Sequence, residues 1–150
     1  MLVILNIGIV LLTIVFMECL SWAIHKYLFH GVLWFMHKSH HEHNKSFFEW
    51  NDLFAFLFAG ISLYLMFIER EDFGYRFFIG LGIGLYGIIY FIIHDWFVHR
   101  RFKTFKSNNT YLKAVRKAHK VHHKNMGKKD SRAFGLLFVR KKILAADKGE

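Results

Sequence analysis

The sequence predicts an all-α integral membrane bundle, on three observations. The chain of 150 residues is 54% hydrophobic, and its apolar side chains gather in three blocks: residues 2–24, with Glu18 as the one charge, then 53–68 and 77–93, with none. Charge is split as sharply. Residues 1–93 carry five basic against seven acidic side chains, net −2, and residues 94–150 carry sixteen against four, net +12. There is no proline, which suits long unbroken helices. A bilayer core asks for about 20 apolar residues, within a range of about 17–25. As a soluble bundle, so small a domain has too little polar helix face to cover these blocks.

Each element follows in order. Block 2–24 meets the bilayer length outright. Without a basic start or a small-residue cleavage site, it reads as a retained span and not as a signal peptide. Residues 25–52 form a connection in which 31–36 can dip into the interface, so the count is three spans, or four. Asn51 and Asp52, directly before the next apolar block, read as a helix N-cap. The second and third blocks are short for a bilayer, and Trp50, Tyr64, Tyr75 and Tyr90 suit interfacial positions that extend them. Residues 69–76 between them are a short, net negative hairpin. Gly80 and Gly84 form a G-x-x-x-G pair, with Gly87 about one turn further on, so a neighbouring helix can approach closely. By the positive-inside rule the +12 segment stays cytoplasmic. That places 25–52 on the same side, with 69–76 and the N-terminus outside. The whole reads as one domain over 1–150 in the cell membrane, with a basic cytoplasmic tail at about 130–150.

Composition removes other classes. The length leaves no room for a separate dinucleotide-binding domain. The apolar content excludes a disordered tail, and a single cysteine excludes an intrachain disulfide framework. A net charge of +10 asks for an anionic partner, either nucleic acid or a membrane surface. Three spans leave little soluble body for a nucleic-acid binder, so the membrane is the expected partner.

The chemistry lies in the histidines. All eleven fall outside 44–93 and 124–150. His25 and His30 make HxxxxH, and His37, His40 and His41 make HxxHH. The pair of motifs recurs after the hairpin as His94 and His99, then His119, His122 and His123, with His43 left over. On a helix i, i+3 and i+4 lie on one face, so each HxxHH should aim three imidazoles at one place. An i, i+5 pair is about 140° apart on a straight α-helix. It serves one site only where the helix unwinds, or it bridges two metals. Ten imidazoles converging at one membrane face offer ligands for two metal ions, and imidazole suits iron, zinc, copper and nickel alike. A run of surface histidines, or a basic patch, is the plain alternative, and for His43 it is the better one.

This constellation resembles the fatty acid hydroxylase/sterol desaturase superfamily, and within it the bacterial β-carotene hydroxylases. The resemblance runs through the four histidine motifs, the stretch Phe48-Glu49-Trp50-Asn51-Asp52, Tyr90 ahead of His94, and Phe134-Gly135, and covers roughly residues 5–140. It implies a non-haem di-iron monooxygenase that hydroxylates the β-ionone rings of β-carotene to zeaxanthin by way of β-cryptoxanthin. Two iron ions would be held by His25, His30, His37, His40, His41, His94, His99, His119, His122 and His123. O2 would be the co-substrate, and electrons would come from an external carrier such as reduced ferredoxin. The sequence departs from the family pattern at His43 and in lacking the proline common after His99.

The residues themselves agree on the class of chemistry. Zinc has no redox activity and would imply hydrolysis or structure. A site at the membrane face beneath an aromatic-rich bundle favours a hydrocarbon drawn from the bilayer, and oxidising its C–H bond is work for iron in a dry pocket. No flavin, haem or nicotinamide motif is present, so an electron-transfer protein is an expected partner. The basic tail could dock an acidic carrier or bind inner-leaflet lipid. Glu18 and Asp95 are the candidate catalytic auxiliaries. Glu18 shares a helix face with His25, about 10 Å along the axis, and an intramembrane carboxylate is costly enough to suggest function; snorkelling to the interface is the alternative. Asp95, like Glu42, adjoins a histidine and could fix its tautomer. Two rivals stay open: a fatty acyl or sterol hydroxylase or desaturase of the same superfamily, and a metal-binding membrane protein without catalysis.

Overall fold

The computed structural model describes residues 2–42, 48–124 and 133–139, and all elements among them are helical. Five α-helices follow in order: α1 (Leu2–Ala23), α2 (Trp34–His41), α3 (Asp52–Ile68), α4 (Tyr75–Tyr90) and α5 (Thr110–Lys124). Two of them continue into π-helical turns, α1 through Ile24–Val32 and α4 through Phe91–Val98. The first continuous run, Leu2–Val32, is 31 residues long and the second, Tyr75–Val98, is 24, and both are long and apolar enough to cross a membrane. The third apolar helix, Asp52–Ile68, has 17 residues and is shorter than that measure.

Helix α4 sits between α1 and α3. Its glycines explain why. A Cβ on Gly80 would stand 2.7 Å from the Ser62 carbonyl oxygen of α3, and one on Gly82 would stand 2.6 Å from Thr13 Cβ of α1. Neither approach leaves room for a side chain. The Ser62 hydroxyl donates to the Gly80 carbonyl at 2.7 Å, pinning α3 to α4. Thr13 meets Gly82 and Glu18 meets Tyr86, so α1 and α4 run parallel, with α3 antiparallel on the other side of α4. Around this seam Leu2, Leu5, Leu12 and Phe16 of α1, and Phe56, Leu63 and Phe67 of α3, stand exposed. A core helix of a soluble protein would bury such residues; a lipid-facing one would not. The chain is membrane-associated.

Parallel α1 and α4 bring the two HxxxxH motifs to the same end of the bundle, where α3 begins. The break at Gly31 (φ −116°, ψ −121°) turns the chain into α2, and α5 crosses the same end. A small core of Phe97, Val98, Val115 and Leu136 fixes α5 and the segment 133–139 against the end of α4. Of the expected capping pair, Asp52 accepts from the Glu49 amide at 2.9 Å at the helix start. Asn51 has helical φ/ψ and its side chain makes no cap bond. It lies against His37 instead. His43 and most of the basic tail at 130–150 fall outside the described residues.

Candidate metal centre

The π-turns resolve the HxxxxH problem. An i→i+5 hydrogen bond brings residue i+5 back beneath residue i. The His99 amide donates to the His94 carbonyl at 2.9 Å and the Leu33 amide to the Leu28 carbonyl at 2.8 Å. His94 and His99 thereby come to 4.5 Å between ring centroids, and His25 and His30 to 5.3 Å, with the rings tilted by 57° and 46° respectively. Each pair faces one place, which a straight α-helix would forbid.

The HxxHH motifs behave differently from the expectation of a common target. At about 100° per residue, i+3 and i+4 fall on opposite sides of i. The structure uses both sides. His25, His30, His37, His41 and His122 bring their ring nitrogens within 4.8 Å of one another, and so do His40, His94, His99 and His119. His123 joins the second group, its Nε2 2.8 Å from that of His119, with its ring stacked on His41 at 4.5 Å. Each motif therefore sends its i and i+4 imidazoles to one group and its i+3 imidazole to the other, and the second copy reverses the assignment. Two HxxxxH pairs, two i, i+4 pairs and two exchanged single histidines give two five-histidine groups.

The donor set suits metal. His25 Nδ1 lies 2.9 Å from the Phe134 carbonyl, His40 Nδ1 2.6 Å from Glu49 Oε2 and His94 Nδ1 3.1 Å from Asp95 Oδ1. Carbonyl and carboxylate oxygens only accept, so these nitrogens carry the proton and leave Nε2 as a lone pair pointing inward. His37 Nδ1 rests against the Asn51 side-chain amide at 3.1–3.3 Å. Inside the groups, Nε2 atoms approach in pairs: His25 and His37 at 3.0 Å, His37 and His41 at 3.1 Å, His30 and His122 at 3.2 Å, His99 and His119 at 2.7 Å. Two imidazole nitrogens at that distance are joined either by one N–H···N proton or by a cation that both lone pairs share. Burial first, and then neighbouring imidazoles, pushes His37 down to about 2 and holds His40, His99 and His119 well below the ordinary histidine range. The protein thus keeps them in the neutral form that ligates a metal.

Around the second group runs a charged network in which Asp95 was expected and Arg101 and Glu49 were not. Arg101 reaches Asp52 at 2.9 and 3.1 Å, Asp95 at 3.5 Å and Glu49 at 3.7 Å. One guanidinium thus joins the carboxylates that hold His40 and His94. Asp52 also accepts from the Glu49 amide at 2.9 Å, shaping the turn that presents Glu49. Glu42, expected beside a ligand, is exposed and paired with Lys38 at 3.5 Å. Glu18 does not snorkel: it is 2% exposed, and it accepts from the Tyr86 hydroxyl at 2.9 Å.

A cavity of about 460 Å³ opens from these imidazoles into the bundle. His25, His37, His40, His94 and His119 form its polar end, and Met17, Phe58, Ala59, Ile83 and Gly87 line its apolar length between the helices. That volume lies in the usual range for a small-molecule site.

A helical, membrane-associated chain with ten imidazoles, seven of them buried, in two groups at the foot of an apolar cavity has the make-up of a histidine-rich metal-binding protein. The fatty acid hydroxylase family model matches residues 10–140, and the chain belongs to that family. Among its relatives, a β-carotene hydroxylase of Pantoea ananas is 40% identical over 135 residues, covering 89% of this chain and 77% of that one. A β-carotene hydroxylase of Paracoccus is 34% identical over 87% of this chain and 82% of its own. A chloroplastic β-carotene 3-hydroxylase of Arabidopsis thaliana is 41% identical over 107 residues, 68% of this chain and 34% of its own. No solved structure matches the chain.

Proposed function

We propose that this chain is a β-carotene 3-hydroxylase, an O2-dependent non-haem di-iron monooxygenase that converts β-carotene through β-cryptoxanthin to zeaxanthin. The observation that carries the reading is the cavity: an apolar passage, open to the bundle, that ends on two groups of imidazoles. The relatives of similar length that hydroxylate β-carotene support the substrate. Two iron ions, when bound by the ten histidines, would supply the activation of O2 that cleavage of an unactivated C–H bond requires. The rest of the work falls to the chain. The apolar walls take one β-ionone ring end-on, leave the polyene toward the bilayer, and keep water from the reacting carbon. Glu49, Asp95 and the Phe134 carbonyl hold the protons on the outward-facing ring nitrogens, so the inward nitrogens are fixed as ligands. Arg101 holds the carboxylates of the second group in place.

In this reading α1, α3 and α4 all span the membrane, with the histidine end cytoplasmic. The charge pattern supports it: Lys103, Lys106, Lys113 and Lys120 stand exposed at that end, and the opposite loop carries Glu69, Glu71 and Asp72. The same lysines offer a surface to an acidic electron carrier such as a reduced ferredoxin.

The test is expression in a bacterial host that accumulates β-carotene, with pigments and membrane fatty acids measured together. Zeaxanthin should appear with the wild-type chain and be absent with His40→Ala. Unchanged pigment with new hydroxy fatty acids would refute the carotenoid assignment and favour a lipid hydroxylase of the same family.

A further inference from the structure

Glu18 lies within an apolar helix, yet both of its carboxylate oxygens are occupied. Oε2 accepts from the Tyr86 hydroxyl at 2.9 Å. Oε1 accepts from three successive backbone amides, those of Leu136 at 3.0 Å, Leu137 at 2.7 Å and Phe138 at 3.3 Å. Consecutive N–H groups turned onto one anionic oxygen form a nest. Here the nest belongs to a segment 118 residues further along the chain, and the anion is a side chain of the first helix.

What the nest holds in place matters for the imidazoles. Segment 133–139 begins at Ala133, whose φ of 63° is unusual for a residue with a side chain. Phe134 follows. Its carbonyl lies 2.9 Å from His25 Nδ1, and its ring stands edge-on to His25, His30 and His122 at 5.3–5.5 Å. Gly135 comes next against Glu18, where an added Cβ would stand 3.3 Å from Oε1. Leu136 then enters the core with Phe97, Val98 and Val115, and the Tyr111 hydroxyl donates to the Leu137 carbonyl. The segment is a strap over the first histidine group, tied at residues 136–138 both to α5 and to Glu18.

We propose that Glu18 is a positioning residue for the metal centre: by anchoring residues 136–138 it fixes the Phe134 carbonyl that sets the tautomer and orientation of His25. Glu18 acts through the strap and touches no reacting atom. The proposal rests on the metal-centre reading, and two measurements keep the two separable.

The full-length protein in detergent is examined by hydrogen exchange and by anaerobic titration with Co(II), whose visible absorption reports histidine coordination. The wild type should bind two Co(II) per chain. In Glu18→Ala the strap amides should exchange at least about tenfold faster, since a hydrogen-bonded anchor is lost. One of the two Co(II) ions should bind about 10–100-fold more weakly, the usual consequence of losing a ligand's supporting partner, and the other should be unchanged. Glu18→Gln keeps an acceptor oxygen and should restore most of both. Should Glu18→Ala fail to fold, Leu137→Pro removes the amide that makes the shortest nest bond and leaves Glu18 intact; it should weaken the same Co(II). Strap exchange equal to wild type overturns the proposal. So does a freed strap with both ions bound normally, which would make Glu18 a stability element alone. A wild-type chain that takes up no Co(II) defeats the metal-centre reading, and the positioning role with it.

Discussion

Glu49 gives a quantitative test of how the second histidine group is built. Its Oε2 meets His40 Nδ1 at 2.6 Å, and both side chains are largely buried, at 15% and 2% exposure. Burial raises the Glu49 carboxyl above its ordinary range against the opposing pull of Arg101, which makes its anion a stronger acceptor for the imidazole N–H. A hydrogen bond to a charged group contributes about 1.5–3 kcal/mol, equivalent to about 10–150-fold in an equilibrium constant. Replacing Glu49 with alanine removes that bond but leaves Arg101 bound to Asp52 and Asp95, so no charge is stranded and the fold should persist. The expected loss is therefore about 10–100-fold in affinity at one metal position, with a matching fall in turnover. Glu49→Gln keeps a neutral acceptor and should lose about tenfold or less. The assay is anaerobic equilibrium dialysis against Fe(II) with colorimetric iron determination, followed by turnover of β-carotene in liposomes. A Glu49→Ala protein with wild-type iron affinity and wild-type turnover would refute this account of the network.

Other predictions follow from packing and protonation. Gly80→Val places a side chain where a Cβ already meets the Ser62 carbonyl at 2.7 Å; it should destabilise the α3–α4 contact by about 1–3 kcal/mol, read as a lower unfolding temperature in detergent. Gly87 also lies on α4 but lines the cavity, and an added Cβ there meets nothing within 4 Å. Gly87→Phe should fold and bind metal normally while its turnover of β-carotene falls and KM rises. Without metal, His37 is held down to about 2 from an ordinary value of 6.5, so the unfolded chain binds more protons than the folded one between those values. Stability of the metal-free protein should then be full above pH 6.5 and fall as pH drops below it, by at most about 1.4 kcal/mol per pH unit for each such histidine. Urea unfolding of metal-free protein across that range checks the slope, and a flat profile would contradict it.

Much of this architecture is legible in the sequence because its signals are periodic or local. Apolar block lengths locate α1, α3 and α4, and the histidine spacings announce two copies of one ligand pattern. The spacing does not say how the copies divide. Sharing between two groups depends on α2 and α5 meeting through their histidines, His41 stacking on His123 at 4.5 Å, and the HxxxxH pairs converge only because both helices change to i→i+5 bonding. Asn51 looked like a cap because caps are recognised by position, but a histidine 14 residues earlier competes for its side chain. Glu49 stood in plain view within Phe48-Glu49-Trp50-Asn51-Asp52, yet its contact with His40 comes from a turn. Arg101 lay inside a basic run that reads as a surface. Glu18 was conspicuous as a charge in an apolar helix, but nothing local could reveal an amide nest 118 residues away.

The central claim is that this chain inserts an oxygen atom from O2 into a carotenoid ring, and isotope labelling tests it most directly. Purified, iron-loaded protein in liposomes containing β-carotene is supplied with a reduced electron carrier under 18O2, and the products are analysed by mass spectrometry. The account predicts β-cryptoxanthin and zeaxanthin carrying one labelled oxygen in each ring hydroxyl, and no product with His40→Ala. Label that arises from water instead, or β-carotene left intact while a fatty acyl chain takes up the oxygen, would contradict it.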